Sequence, residues 1–178
     1  MIDAGTFRLG PDNATLSVHT RRGGAAAKAG HDLVIHVTSW EGTLEVGADP
    51  EHTSIALSAD AASLRVHDGK GGVQALGDDD KANIRQTIDD EVLKRRDIRF
   101  RSTRVQAEDQ SRLEVEGDLT LGGTTRPIAF HVVVGDDGSL SATAVVTQSL
   151  WGMKPYSTLF GALKVLDDVE VVLHGHRP

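Results

Sequence analysis

The chain contains no cysteine. Disulfides, thiolate metal sites and a cysteine nucleophile are therefore excluded, and the redox compartment stays open. Aromatic residues are scarce, at 4% of the sequence, so any interior built from it is mainly aliphatic. Basic charge is in deficit: 19 Lys and Arg stand against 26 Asp and Glu, a net charge of −7. No basic stripe offsets that balance, and such a surface repels a phosphate backbone, which argues against nucleic acid as a partner. Long hydrophobic runs are missing as well. The longest nearly apolar stretch, residues 128–134, has a histidine inside it and is far too short to span a bilayer. The opening residues MIDAGTFRLG show no positively charged segment followed by an apolar one. The expectation is a cytoplasmic protein that spans no membrane, or a periplasmic or secreted one if a leader has been removed.

Catalytic motifs are equally thin. GxSxG and HExxH do not occur, and neither do the phosphate-binding patterns GxGxxG and GxxxxGK[ST]. Gly69-Lys70-Gly71-Gly72 therefore reads as part of a mobile connection over 66–77, of the kind that gates a pocket. His31 and Asp32 are adjacent on a strand start and so point to opposite faces, which suits hydrogen bonding at a strand end better than a catalytic relay. His174 and His176 share one strand face, and a metal site would need a third ligand such as His131.

What the chain does have is alternation. From Leu113 to Leu121 the odd positions Leu113, Val115, Gly117, Leu119 and Leu121 share one face, while Arg112, Glu114, Glu116 and Asp118 share the other. That period of two marks a strand with one dry face and one wet face. Gly122-Gly123 supplies the freedom for a tight reversal, and Ile128, Phe130, Val132 and Val134 line the returning strand. Similar patterns fall at 6–9, 14–20, 32–40, 42–46, 54–64, 98–107, 140–147 and 169–176, with a hairpin around Glu41 and a turn at Gly135-Asp136-Asp137-Gly138. The order reads as a meander, typical of a barrel or a sandwich. One helix interrupts it near residues 79–95: Asp78, Asp79 and Asp80 suit its positive end, Lys94, Arg95 and Arg96 its negative end, and Ile84, Ile88 and Val92 make one narrow apolar stripe. A length of 178 residues fits a single domain over 1–178 with a substantial core.

Residues 149–165 (SLWGMKPYSTLFGALKV) gather Trp151, Met153, Tyr156 and Phe160 around Gly152, Pro155 and Gly161. A segment this apolar packs against something. It plugs the core, lines a ligand mouth or forms a dimer patch, and Lys154 or the Tyr156 hydroxyl would give such a mouth a polar handle.

Arg99-Phe100-Arg101-Ser102-Thr103, the block from Gly117 through Pro127 (GDLTLGGTTRP), and the late Trp151-Gly152 followed by Asp167-Asp168-Val169 resemble the central motifs of the YceI-like family. The resemblance covers roughly residues 5–175. It implies a lipocalin-like, mainly all-β fold: an antiparallel β-barrel of about eight strands that holds long apolar chains such as polyisoprenoids, often dimeric and without catalytic residues. The segment 29–33 and the charged helix depart from the best-known pattern and place the chain on a divergent branch. A mainly aliphatic interior also suits a flexible alkyl tail, at about 0.8 kcal/mol per buried methylene. The leading expectation is a non-enzymatic carrier of a polyisoprenoid or fatty-acyl lipid, with no other cofactor. Its tail would meet Phe100, Leu113, Val115, Leu119, Phe130 and Val132, and its mouth Trp151, Met153, Tyr156 and Phe160. The alternatives are a stress-response or protein-interaction module whose barrel is filled by its own side chains, and a metal-dependent enzyme using His131, His174 and His176.

Overall fold

The computed structural model describes residues 4–158 and 163–176. In chain order the strands are β1 (Gly5–Leu9), β2 (Ala14–Thr20), β3 (Arg22–Gly23), β4 (His31–Val37), β5 (Trp40–Val46), β6 (Ser54–Ala59) and β7 (Leu64–Gly71). A helix, α1 (Asp78–Thr87), runs on into a π-helical turn, Ile88–Val92. Then come β8 (Ile98–Ala107), β9 (Arg112–Leu121), β10 (Thr124–Val134), β11 (Ser139–Thr147), β12 (Ser157–Thr158), β13 (Leu163–Val165) and β14 (Asp168–His176).

Eleven of these strands form one antiparallel sheet in the order β1-β5-β6-β8-β9-β10-β11-β14-β2-β4-β7, and β12-β13-β3 form a small second sheet. β4 and β5 follow each other in the chain yet lie near opposite ends of that order, so the sheet must curl until its ends meet. They meet at a corner where β4 bends into β5 and β6 bends into β7. Thr38 N donates to Ser63 O at 3.0 Å and Asp60 N to Ser39 O at 3.0 Å, so the two bends hold each other. The result is a curled half-barrel. The expected strand over 54–64 breaks at the corner into β6 and β7, which is why the ten strands read from the pattern become eleven in this sheet.

The corner corrects the expected hairpin around Glu41. β4 pairs with β2 and β7, while β5 pairs with β1 and β6. A two-residue reversal needs positive φ, and no residue between Val37 and Gly42 adopts it. Residues 38–39 are Thr-Ser, which bend a strand without reversing it. The β9–β10 turn is the contrasting case: Gly122 and Gly123 have φ of 55° and 84°, and the strands pair from Thr124↔Leu121 onward.

The connection expected over 66–77 is also corrected, since its first half is strand. Gly69 pairs with Leu33 and Gly71 with His31. Glycine is needed there because neighbours lie across the strand. A Cβ on Gly69 would meet the Leu76 side chain, and one on Gly71 would meet the Arg22 guanidinium.

The helix starts as expected. Its first turn holds Asp78, Asp79 and Asp80, and Asp80 Oδ2 accepts from the N-cap Gly77 N–H at 3.0 Å. It ends earlier than Arg95: the α-helical pattern stops at Thr87, Leu93 N donates to Ile88 O at 2.8 Å, and Lys94 and Arg95 turn left-handed with φ of 55° and 56°. Arg95 Nε pairs with Asp90 at 2.6 Å and holds that carboxyl below its ordinary range. Left-handed backbone is unfavourable by about 1–2 kcal/mol for residues with a Cβ. Lys94→Gly should therefore raise stability by about 0.5–1 kcal/mol in urea denaturation. A loss of stability would show that the Lys94 side chain holds the turn.

Two aliphatic clusters form the core. One gathers Leu16, Ile35, Trp40, Leu64, Trp151 and Met153 around the corner and helix; the other gathers Leu44, Phe100, Val105, Val115, Val132 and Leu140.

Candidate functional site

The curled sheet does not fill its own interior. A cavity of about 520 Å³ runs between the sheet and α1, within the range of about 300–1,000 Å³ usual for small-molecule sites. Its size follows from the sequence of β11: Leu140, Ala142, Ala144 and Val146 all line it, and the two central positions are alanines. Beside them in the sheet, Val171 and Leu173 on β14, with Leu119 and Leu121 on β9, continue an aliphatic wall. Ile84, Ile88 and Val92, the expected stripe, line the cavity from the helix side. The C-terminal end of the helix reaches the β9–β10 turn, where a Cβ on Gly122 would lie 3.6 Å from Val92 O and 3.9 Å from Leu93 O. The helix thus covers the open side of the half-barrel.

At one end the Phe100 and Phe130 rings pack at 5.3 Å with a 56° tilt. Phe100 lies over Gly117, where a Cβ would come within 2.5 Å of the ring and of Arg101 O. Val105, Val115 and Val134 are buried in the cluster around that pair and do not border the cavity, whereas Leu44, Ile55, Val132 and Leu140 of the same cluster do.

Of the expected lining residues, Phe100, Leu119, Phe130, Val132, Met153 and Tyr156 border the cavity. Leu113 and Val115 share the inward face of β9 but pack in the cluster around Phe100 and Phe130 and do not border the cavity. Trp151 is buried beside the cavity without lining it, and its Nε1–H donates to Leu119 O at 2.8 Å. Phe160 lies outside the described residues. Lys154 is exposed and does not border the cavity.

Pattern reading missed the polar fringe. Arg22, His31, Lys164 and Thr20 line the cavity toward the small sheet. Arg22, Lys164 and Thr20 come from segments with no recognisable motif, and the pairing of β3 with β13 brings Arg22 and Lys164 together. Within the walls, Thr20 Oγ1 and Trp40 Nε1 are buried and lack a hydrogen-bond partner. Both residues border the cavity. Buried polar atoms are nearly always paired, so these two are exceptions in the wall, and both are covered by their neighbours rather than open to the cavity.

The histidines singled out in the sequence lie apart. His131 Nε2 is 3.1 Å from Glu108 Oε1 on the outside of the sheet. His174 and His176 stand on β14, both exposed. Among the described residues no group of three His, Asp or Glu is placed to hold a metal ion. His31 and Asp32 do serve a strand end: the His31 Nε2–H donates to Gln74 O at 2.8 Å, and Asp32 Oδ1 accepts from Arg22 N at 2.9 Å.

A different histidine group occupies the outer face of β2, β4 and β7. His36 stacks on His67 with ring centroids 4.0 Å apart and 7° between planes. Burial first, then His67 and His19, push the His36 pKa below its ordinary value of 6.5. The unfolded chain therefore takes up this proton at higher pH than the folded one, so stability falls as pH drops below about 6.5. His36→Gln should flatten the decline in melting temperature between neutral and mildly acid buffer. An unchanged decline would place the acid sensitivity elsewhere.

A family model for the YceI-like domain matches residues 7–176. Among solved structures, BcnA of Burkholderia cenocepacia superposes with a TM-score of 0.67 at 14% identity, over 90% of this chain and 94% of that one. The Campylobacter jejuni YCEI protein superposes with a TM-score of 0.51 at 15% identity, over 81% of this chain and 84% of that one. A mutant CJ YCEI protein with a monobromobimane guest structure reaches 0.57 at 15% identity over the same 81% and 84%. At these identities the likeness concerns the fold alone. No curated protein sequence matches the chain.

Proposed function

The chain belongs to the YceI-like domain family, and on that premise we propose that it binds a long-chain apolar lipid, of polyisoprenoid or fatty-acyl type, inside the half-barrel. It acts as a carrier or store for the lipid and not as an enzyme. The observation that carries this reading is the aliphatic cavity of about 520 Å³ between sheet and helix. A tail inside gains about 0.8 kcal/mol per buried methylene, and the walls of Leu, Ile, Val and Ala impose little geometry on it. Selection by tail length should therefore be loose. A barrel filled by its own side chains, the rival reading, requires a packed interior, and the cavity of about 520 Å³ weighs against it.

Native mass spectrometry of protein purified without detergent tests the proposal. The expected spectrum shows added masses of co-purified lipid, or a stoichiometric adduct after incubation with a neutral isoprenoid. Bare protein in both experiments would sink it.

A further inference from the structure

The charged side chains bordering the cavity are all of one sign. In a chain with 26 acidic and 19 basic residues, the cavity is bordered by Arg22 and Lys164, with His31 beside them, and by no aspartate or glutamate among the described residues. Their position is shared as well. β3 pairs with β13 through Gly23↔Lys164 and Arg22↔Val165. The Arg22 guanidinium donates through Nη1 to Gly30 O at 2.6 Å, next to His31 in the chain. Val165 N donates to Tyr156 O at 2.9 Å, which brings the exposed Tyr156 to the same place. The hydrophobic walls thus end in one cationic mouth, open to solvent where Lys164 and Tyr156 are exposed.

Three features make this a head-group site rather than a scatter of surface charge. The Arg22 side chain is only 29% exposed and is fixed by Gly30 O and by Asp32, whose carboxylate stands 3.9 Å from Nε. Asp32 thereby engages one edge of the guanidinium. Lys164 has no ion-pair partner among the described residues. Finally, no aspartate or glutamate among the described residues borders the cavity beside them. A free ammonium and a positioned guanidinium are donors to an acceptor at the mouth. An oxyanion accepts from both, whereas a neutral hydrocarbon end accepts from neither.

We propose that the natural ligand is a single-chain amphiphile with an anionic head, a carboxylate or phosphate, whose head is held by Lys164 and Arg22 at the mouth while its tail lies along the cavity toward Phe100 and Phe130. This rests on the lipid-binding reading above and names the class of lipid. The seven residues of β4 alone span roughly 20 Å between the mouth and the corner, so the site measures head and tail separately.

The test is displacement of a neutral fluorescent probe by a series sharing one saturated tail: hexadecanoate, hexadecyl phosphate, hexadecanol and methyl hexadecanoate. Charged hydrogen bonds of this kind are expected to favour the two anions by about 10- to 100-fold over the alcohol and ester. Lys164→Gln should shrink that ratio several-fold, while Lys154→Gln, outside the cavity, leaves it intact. Inorganic phosphate and acetate alone should not displace the probe. Equal binding of anionic and neutral members, or a ratio indifferent to Lys164→Gln in a variant with unchanged circular dichroism, overturns the proposal but leaves the lipid reading standing. Displacement by inorganic phosphate as strongly as by hexadecyl phosphate overturns it in favour of a free-anion site. Failure of every member and of a neutral isoprenoid to bind overturns the lipid reading itself, and the head-group assignment with it.

Discussion

Trp151→Ala should destabilise the protein by about 3–5 kcal/mol, the usual loss when a large buried aromatic is truncated. The indole is 4% exposed and packs in the cluster that joins the corner, the helix and β9. Its N–H donates to Leu119 O, a carbonyl on the very strand whose side chains line the cavity. The surrounding turn leaves the ring nowhere to go: Gly152 ends it in the left-handed region with φ of 70°, Ser149 N donates to Asp167 Oδ1 at 2.8 Å, and the Gln148 side chain donates to Leu166 O at 3.2 Å. Nothing nearby relaxes into the space an alanine would leave. For a domain of this size about 2–4 °C of melting temperature goes with each kcal/mol, so the variant should melt roughly 6–20 °C below the parent. Trp151→Phe keeps most of the packing and loses the hydrogen bond, worth about 1 kcal/mol. A melting curve for Trp151→Ala within 2 °C of the parent would show that the segment after β11 is merely draped on the barrel.

Trp151 also shows what a sequence conveys and what it withholds. Its aromatic company at 149–165 is visible in one dimension, and so is the need for that segment to pack. Which of its side chains plugs the core and which meets the cavity depends on the turn at Gly152, and on that point Trp151 and Met153 part company. The same limit appears on β9. Alternation places Val115 and Leu119 on one inward face, correctly. It cannot say that Phe100 crosses over Gly117 and divides that face into a packed half and a cavity wall. The Gly122-Gly123 reversal was legible because the chemistry of the turn is local. The corner at residues 38–39 was misread as a hairpin, although Thr-Ser lacks the residues a tight reversal demands. Glycines at 69, 71 and 72 suggested a loop because glycine in a strand is usually a weakness. Here it makes room for Leu76, seven residues on from Gly69, and for Arg22 and His31, which are distant in sequence. Arg22 and Lys164 carry no pattern at all, and only the pairing of β3 with β13 makes them neighbours.

Filling the cavity from β11 should separate binding from folding. Ala144 faces inward between Ala142 and Val146, and its pairing with Val171 on β14 depends on backbone alone. Ala144→Trp therefore keeps the ladder and projects an indole into the space of about 520 Å³. Because that space is empty of protein, overpacking strain is small, and stability should change by less than about 1.5 kcal/mol. A bound tail, however, must give way. Excluding about four methylenes at about 0.8 kcal/mol each removes roughly 3 kcal/mol, which is more than a 100-fold loss of affinity. The control is the next residue: Val145 is 54% exposed on the outer face, and Val145→Trp should bind lipid as the parent does. Titration of both variants with hexadecanoate and with a neutral isoprenoid reads the difference directly. Equal affinity for Ala144→Trp and Val145→Trp would mean that the lipid sits outside the half-barrel. A 100-fold gap between two adjacent residues of one strand is the result that only an interior tail produces, because on a strand neighbouring side chains share everything except the face they occupy.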